Sequence, residues 1–143
     1  MKNRFSIPFS LLIITLIIGW VYFGLMPFDN SDKTVGLSEF STGRARQHVA
    51  EIAQEPHYIG SDAHKTVQTY LEKELRQLGL EVQTQKGFSL TEWGNMTHST
   101  NIMARIKGTG NSKALLLLSH YDSAPHSYSK GAADDASGDA VIL

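Results

Sequence analysis

The sequence contains no cysteine, and that absence excludes disulfides, thiolate metal sites and cysteine nucleophiles together. It does not fix a compartment, because exported proteins can also lack cysteine. There is no sustained Lys/Arg block and no basic strip with interleaved aromatics, so nucleic acid is not expected as a partner. A formal net charge of −1, with 41% hydrophobic and 19% charged residues, describes an ordinary globular chain and argues against disorder. Internal repeats and low-complexity tracts are missing, and so is a Glu-x-x-His or other compact ligand cluster.

What is present begins with one long apolar run. "MKNRFSIPFSLLIITLIIGWVYFGLMPF" places Lys2 and Arg4 ahead of nearly uninterrupted apolar residues from Ile7 to Met26. About 20 such residues in a helix span roughly 30 Å, the thickness of the hydrocarbon core of a bilayer. The exit, Gly24-Leu25-Met26-Pro27-Phe28, offers no small-residue cleavage site, so an uncleaved anchor is expected over a cleaved signal peptide. A buried core helix fits less well, because the run is apolar all round. Trp20, Tyr22 and Phe23 lie towards the far end, where such rings favour the interface. The positive residues precede the span, so the N-terminus is expected in the cytoplasm and everything after Phe28 on the other side.

The polar, turn-rich stretch from Asp29 reads as a linker over 29–37. From Ser38 a helix is expected, with Phe40, Ala45, Val49 and Ile52 at helical spacing and Pro56 as its stop. After the loop "EPHYIGS", Ser61 or Asp62 can cap a second helix with Val67, Tyr70, Leu71, Leu75 and Leu78 on one face and Gly79 at its end. Leu80 to Gln85 and Asn101 to Lys107 alternate like half-buried strands, the latter followed by a turn, Gly108-Thr109-Gly110-Asn111. Ala114 to Leu118 is a continuous apolar run, suited to a strand covered on both faces. Together these patterns predict an α/β domain with a central mixed sheet flanked by helices.

The chemistry gathers in "LLLLSHYDSAPHSYSKGAADDASG". His120 and Asp122 follow the apolar run, where α/β folds place their sites beyond the sheet. Two residues apart in extended chain, their side chains project to the same side. The imidazole can then bind a metal while Asp122 orients the ring. A small-residue loop brings Asp134 and Asp135 to a helix expected to begin near Ala136, whose macrodipole favours negative charge. One carboxylate can bridge two cations, and paired-metal hydrolases hold theirs about 3.5–4 Å apart. Imidazole with carboxylate suits zinc, with manganese or cobalt as alternatives. Residue spacing alone leaves a plainer reading open, in which the histidine ends a strand and the aspartates cap a helix.

Beyond spacing, "HYDSAPHSYSKGAADDASGDAVIL" resembles the metal-site segment of the co-catalytic di-zinc aminopeptidase family. That family includes bacterial leucyl aminopeptidases, the endoplasmic-reticulum metallopeptidase and vacuolar membrane proteases. "EPHYIGSDAHKTVQTYLEKELRQLGLEVQTQ" is similar to the family's Pro-His-x-x-Gly-Ser loop and following helix, and "STNIMARIKGTG" to one of its strands. The resemblance spans residues 41 to 143. It implies that His120 binds one zinc, that Asp134 bridges two, and that Asp122 supports the arrangement from behind. It also implies a cis peptide bond between Asp134 and Asp135. His126 matches no ligand and is expected at the surface; His57 is expected to be structural.

The family's general-base glutamate, its adjacent zinc-binding glutamate, a further aspartate and a final histidine would lie beyond Leu143. The expectation is therefore a cytoplasmic tip and transmembrane anchor (1–28), a linker (29–37) and the N-terminal portion of a metallopeptidase domain (38–143). That portion alone is expected to be neither stably metallated nor active. The whole would be a membrane-anchored, zinc-dependent exopeptidase acting on peptides with a free N-terminus, outside the cytoplasm. Two alternatives share the scaffold: a glutaminyl-cyclase-like enzyme using a single zinc, and a non-catalytic receptor or interaction ectodomain.

Overall fold

In the computed structural model the described residues are 6–26, 35–90, 94–110 and 113–143. Lys2 and Arg4, the exit at Pro27 and Phe28, most of the 29–37 linker and Asn111 lie outside them. The chain divides into two units, Met1–Ser31 and Asp32–Leu143.

The described residues of the first unit form one helix, α1 (Ser6–Leu25). Its 20 residues rise about 1.5 Å each, which matches a bilayer core in length. It is long and apolar enough to cross a membrane, and none of its apolar window is buried.

In the second unit, α2 covers Thr42–Ile52 and α3 covers Asp62–Gln77. Each starts where a serine hydroxyl accepts a hydrogen bond from a first-turn amide: Ser41 from Arg44 and Ser61 from His64. The cap at Ser41 starts α2 later than the periodicity suggests and leaves Phe40 outside it and exposed. At the far end of α3, Gly79 takes φ +79°. Its amide donates to Arg76 O at 3.0 Å and that of Leu80 to Leu75 O at 3.2 Å, which satisfies carbonyls the last turn would otherwise leave open. The two helices are joined where the Tyr70 hydroxyl meets His48 Nδ1 at 2.6 Å. Burial, aided by Glu74 and Glu51, pushes that hydroxyl's pKa up to about 12.

Strands β1 (Val82–Leu90) and β2 (Met96–Ala104) form an antiparallel hairpin in which Val82 faces Ala104 and Leu90 faces Met96. Among the described residues this pair is the whole sheet. The fold is α/β, as the patterns predict, and among the described residues its sheet is this antiparallel pair rather than a mixed sheet. Residues 114–118 take no ladder partner, and Leu115 to Leu118 stand 60–86% exposed. The apolar run records a demand for cover on both faces, and no described strand lies beside it to meet that demand.

The chain ends in α4 (Ser137–Ile142), close to the expected start at Ala136. Ile52 of α2, Val67 and Leu71 of α3, and Ala136 form the buried core. Val49, Tyr70, Ile102 and Tyr121 pack around it. One core thus ties both helices, the hairpin and the segment bearing His120 and Asp134. Leu78, expected on the buried face of α3, is exposed because the last turn runs past that core.

Candidate metal centre

His120 and Asp122 leave the unpaired segment on the same side, as two-residue spacing in extended chain requires. Tyr121 between them points the other way, into the domain. Its ring stacks on buried His64, with centroids 4.7 Å apart and planes 14° from parallel, and its hydroxyl donates to Thr100 O on β2 at 2.7 Å. Burial first, then the charge of Asp122, pushes this hydroxyl up to about 12. Burial also holds the His64 imidazole below its usual value, against the opposing pull of Asp122.

A second tether fixes the chain after Asp122. Ser123 is fully buried, and its hydroxyl accepts from the His57 amide at 2.8 Å while its own amide donates to His57 O at 3.3 Å. His57 Nδ1 donates to Glu55 O at 2.9 Å. His57 is therefore a buried part of the frame, and His126 lies exposed. The value of Ser123 is not visible from spacing, because its partner lies 66 positions upstream.

From Gly131 the chain enters a wide turn, closed by the Ala136 amide donating to Gly131 O at 3.0 Å. Inside it Asp134 (φ −141°, ψ 86°) and Asp135 (φ −131°, ψ 30°) both depart from helical geometry. The peptide bond between them is cis. The two aspartates do different things. Asp134 swings out, 84% exposed, and its Oδ1 lies 2.9 Å from His120 Nε2. Asp135 turns back, accepting from the Gly138 amide at 3.0 Å and, through its other oxygen, from the His120 amide at 3.4 Å. It thereby caps α4 and pins the backbone of the histidine. A methyl at Gly138 would sit 2.6 Å from the Asp135 carboxyl carbon, so a side chain there would have to displace that carboxylate.

His120 Nδ1 faces the Asp122 carbonyl at 3.1 Å and its carboxylate at 3.4 Å, so Nε2 is the nitrogen presented to Asp134. Burial opposes the imidazolium. The hydrogen bond to Asp134, the charge of Asp122 and the Asp122 carbonyl outweigh it and raise the His120 pKa above its ordinary value. Behind the histidine, Ser119 Oγ donates to Oδ1 of Asp139 on α4. Asp139 Oδ2 is buried without a partner, and burial raises this carboxyl's pKa despite the Ser119 bond.

An imidazole nitrogen and an exposed carboxylate oxygen converging from a rigid frame are a donor set that fits zinc or a similar cation. The pair is not a complete shell: among the described residues, no three or more His, Asp or Glu side chains converge to hold an ion. A catalytic zinc usually takes about three protein ligands and a water.

Comparison with known proteins finds relatives for this chain and a family match for its C-terminal part. Residues 101–143 match the model of Peptidase family M28, a stretch that holds His120, Asp122, Asp134 and Asp135. That stretch is similar to Peptidase family M28. The vacuolar membrane protease of Candida albicans (strain SC5314 / ATCC MYA-2876) is 32% identical over 146 residues, covering 94% of this chain and 17% of that protein. The vacuolar membrane protease of Candida tropicalis is 31% identical, covering 94% of this chain and 16% of its own length. The chain thus spans about one sixth of these relatives. In fold it is similar to a glutaminyl cyclase of Macrostomum lignano, with a TM-score of 0.55 and 22% identity, covering 82% of this chain and 40% of that one. The M28 family is the one whose motifs the sequence resembles, and the glutaminyl cyclase likeness speaks to architecture.

Proposed function

We propose that this chain is the membrane-anchored N-terminal portion of a zinc-dependent exopeptidase, acting as an aminopeptidase on peptides with a free N-terminus. The observation that carries the reading is the approach of His120 Nε2 to Asp134 Oδ1 at 2.9 Å inside a segment that matches Peptidase family M28. In this reading residues 1–28 are the cytoplasmic tip and anchor, 29–37 the linker and 38–143 the first part of the peptidase domain. The domain faces the periplasm, the cell exterior or an organelle lumen.

His120 and Asp134 would hold the metal. Asp122 would keep the imidazole in the tautomer that offers Nε2, and Asp135 would keep its backbone in place. When bound, zinc would supply Lewis-acid polarisation of the scissile carbonyl and lower the pKa of a water. The anchor reading is supported by the length and composition of α1 and by the membrane location in the relatives' name.

The test uses the native protein that carries this sequence, extracted from its membrane. Metal analysis should find about two zinc ions per molecule, and aminoacyl-p-nitroanilides should be hydrolysed. His120→Ala and Asp134→Ala should each lose zinc and abolish turnover, while Asp122→Ala should lower metal affinity or activity about 10–100-fold. Retention of zinc and hydrolysis by both alanine variants would overturn the site assignment. Cyclisation of an N-terminal glutaminyl peptide with release of ammonia, in place of hydrolysis, would select the cyclase-like alternative. Absence of both metal and turnover would select the receptor class.

A further inference from the structure

The hairpin carries an apolar surface that the metal centre does not use. Beyond Val82 every residue of β1 is exposed, so the outer half of the hairpin projects from the domain. Side chains alternate along a strand, and the register sets Lys86, Phe88 and Leu90 on the same face as Met96 and His98. At the outer end Leu90 pairs with Met96 and Phe88 with His98, whose rings lie 4.8 Å apart. Phe88, Leu90 and Met96 are 75%, 73% and 71% exposed. The opposite face of the same stretch carries Gly87, Ser89, Thr97 and Ser99 and is polar. Among the described residues of the apolar face none is acidic, and the cation of Lys86 stands immediately behind the apolar end.

We propose that this face of the hairpin lies in the interface of the membrane that α1 crosses, with Phe88, Leu90 and Met96 among the upper acyl chains and Lys86 at anionic headgroups. The inference rests on the anchor reading above. The two units are contiguous in sequence, meeting at Ser31 and Asp32, so a bilayer holding the first remains within reach of the second. An apolar end followed by a cation is the pattern of interfacial segments, in which the long lysine stem extends its charge to the headgroups. The other exposed apolar run, Leu115 to Leu118, lacks this character. Its successive side chains point to opposite sides, which suits cover by protein on two faces rather than contact with one flat surface.

The absence of native cysteine makes the test direct. Single-cysteine variants Leu90→Cys, Met96→Cys, Ser89→Cys and Ile13→Cys of the full chain are spin-labelled in nanodiscs of phosphatidylcholine and phosphatidylglycerol. Collision rates are read with oxygen, which partitions into lipid, and with a nickel chelate, which stays in water. The oxygen-to-nickel ratio at Leu90→Cys and Met96→Cys should be severalfold that at Ser89→Cys, and Lys86→Glu in the Leu90→Cys background should reduce it. Equal ratios on the two faces would overturn the proposal, and so would a label at residue 90 shielded from both probes, which would mean cover by protein. The Ile13→Cys label separates the two levels. If it is water-exposed, the anchor reading itself falls; if it is in lipid while residue 90 is in water, only the inference about the hairpin falls.

Discussion

Gly131→Ala tests how tightly the turn bearing Asp134 is packed against its frame. Gly131 has φ +66°, and a methyl added there would lie 3.2 Å from each of Asp134 O, His57 Cε1 and Ser123 Cβ. Two costs follow. An L-residue in the left-handed region loses about 1–2 kcal/mol, offset partly by about 0.4–1 kcal/mol from the stiffer unfolded chain. Overpacking against neighbours that cannot easily yield adds about 1–3 kcal/mol. Two of the three neighbours belong to the buried His57–Ser123 pair and the third is backbone, so little relief is available. The sum is about 2–4 kcal/mol. Gly79→Ala is the matched control, with φ +79° and nothing within 4 Å of the added methyl; it should show only the backbone cost, about 1 kcal/mol. Urea unfolding of the chain in detergent micelles, followed by the near-ultraviolet signal of the partly buried Tyr70 and Tyr121, gives both values. If Gly131→Ala costs no more than Gly79→Ala, the close approach of His57, Ser123 and the Asp134 carbonyl is refuted.

Other consequences are simpler to read. Ser61→Ala removes the acceptor for the His64 amide and should cost about 1 kcal/mol in the same unfolding assay, with Ser61→Asn close to neutral. The Glu72 carboxyl is held below its usual range by Gln68 and then Arg76, so its contribution is present above the unfolded-state pKa and is lost as pH falls through the lowered folded value. Being an exposed-side helix pair, it should amount to about 0.3–0.5 kcal/mol, and Glu72→Gln should flatten that part of the acid unfolding curve. Asp139 behaves oppositely, because burial raises its folded pKa. The native state then binds the extra proton, so stability falls as pH rises above the unfolded-state value and levels off beyond the raised one. Asp139→Asn should remove that slope, and an unchanged slope would show that the carboxyl is solvated.

How much of this was legible in the sequence depended on whether the cause was local. The start of α3 at Ser61 and its end at Gly79 are local features, a hydroxyl over a free amide and a residue tolerant of positive φ, and both were readable. The start of α2 is less legible, because Phe40 fits the helical period while Ser41 caps the first turn after it. The run at 114–118 is apolar enough to demand cover, but strand pairing depends on distant chain, and no described strand answers it. β2 begins at Met96, earlier than the alternation from Asn101 suggests, because Met96 to Thr100 pair with Leu90 to Lys86 across the hairpin while remaining polar at most positions. At the candidate metal centre, the motif points to His120 and Asp134, and their side chains meet in the structure. Ser123, Gly131 and Asp139 were not singled out, since each works through a partner far away in sequence.

The pattern Asp-Asp-x-Ser-Gly can now be given a division of labour. A metal ligand must present a carboxylate to the open side while its backbone stays fixed, and one residue cannot easily do both in a mobile loop. Here the tasks fall to neighbours. Asp134 faces His120 and solvent, and Asp135 spends both oxygens inward, on the amides of His120 and Gly138. Because Asp135 binds the backbone of the same histidine that Asp134 meets through its side chain, strand end and turn move as one piece. The Ser119–Asp139 bond and the Tyr121–Thr100 bond fix that piece to α4 and to β2. Held in this way, the two side chains would need less ordering if they bound an ion, which would remove part of the cost such binding otherwise carries.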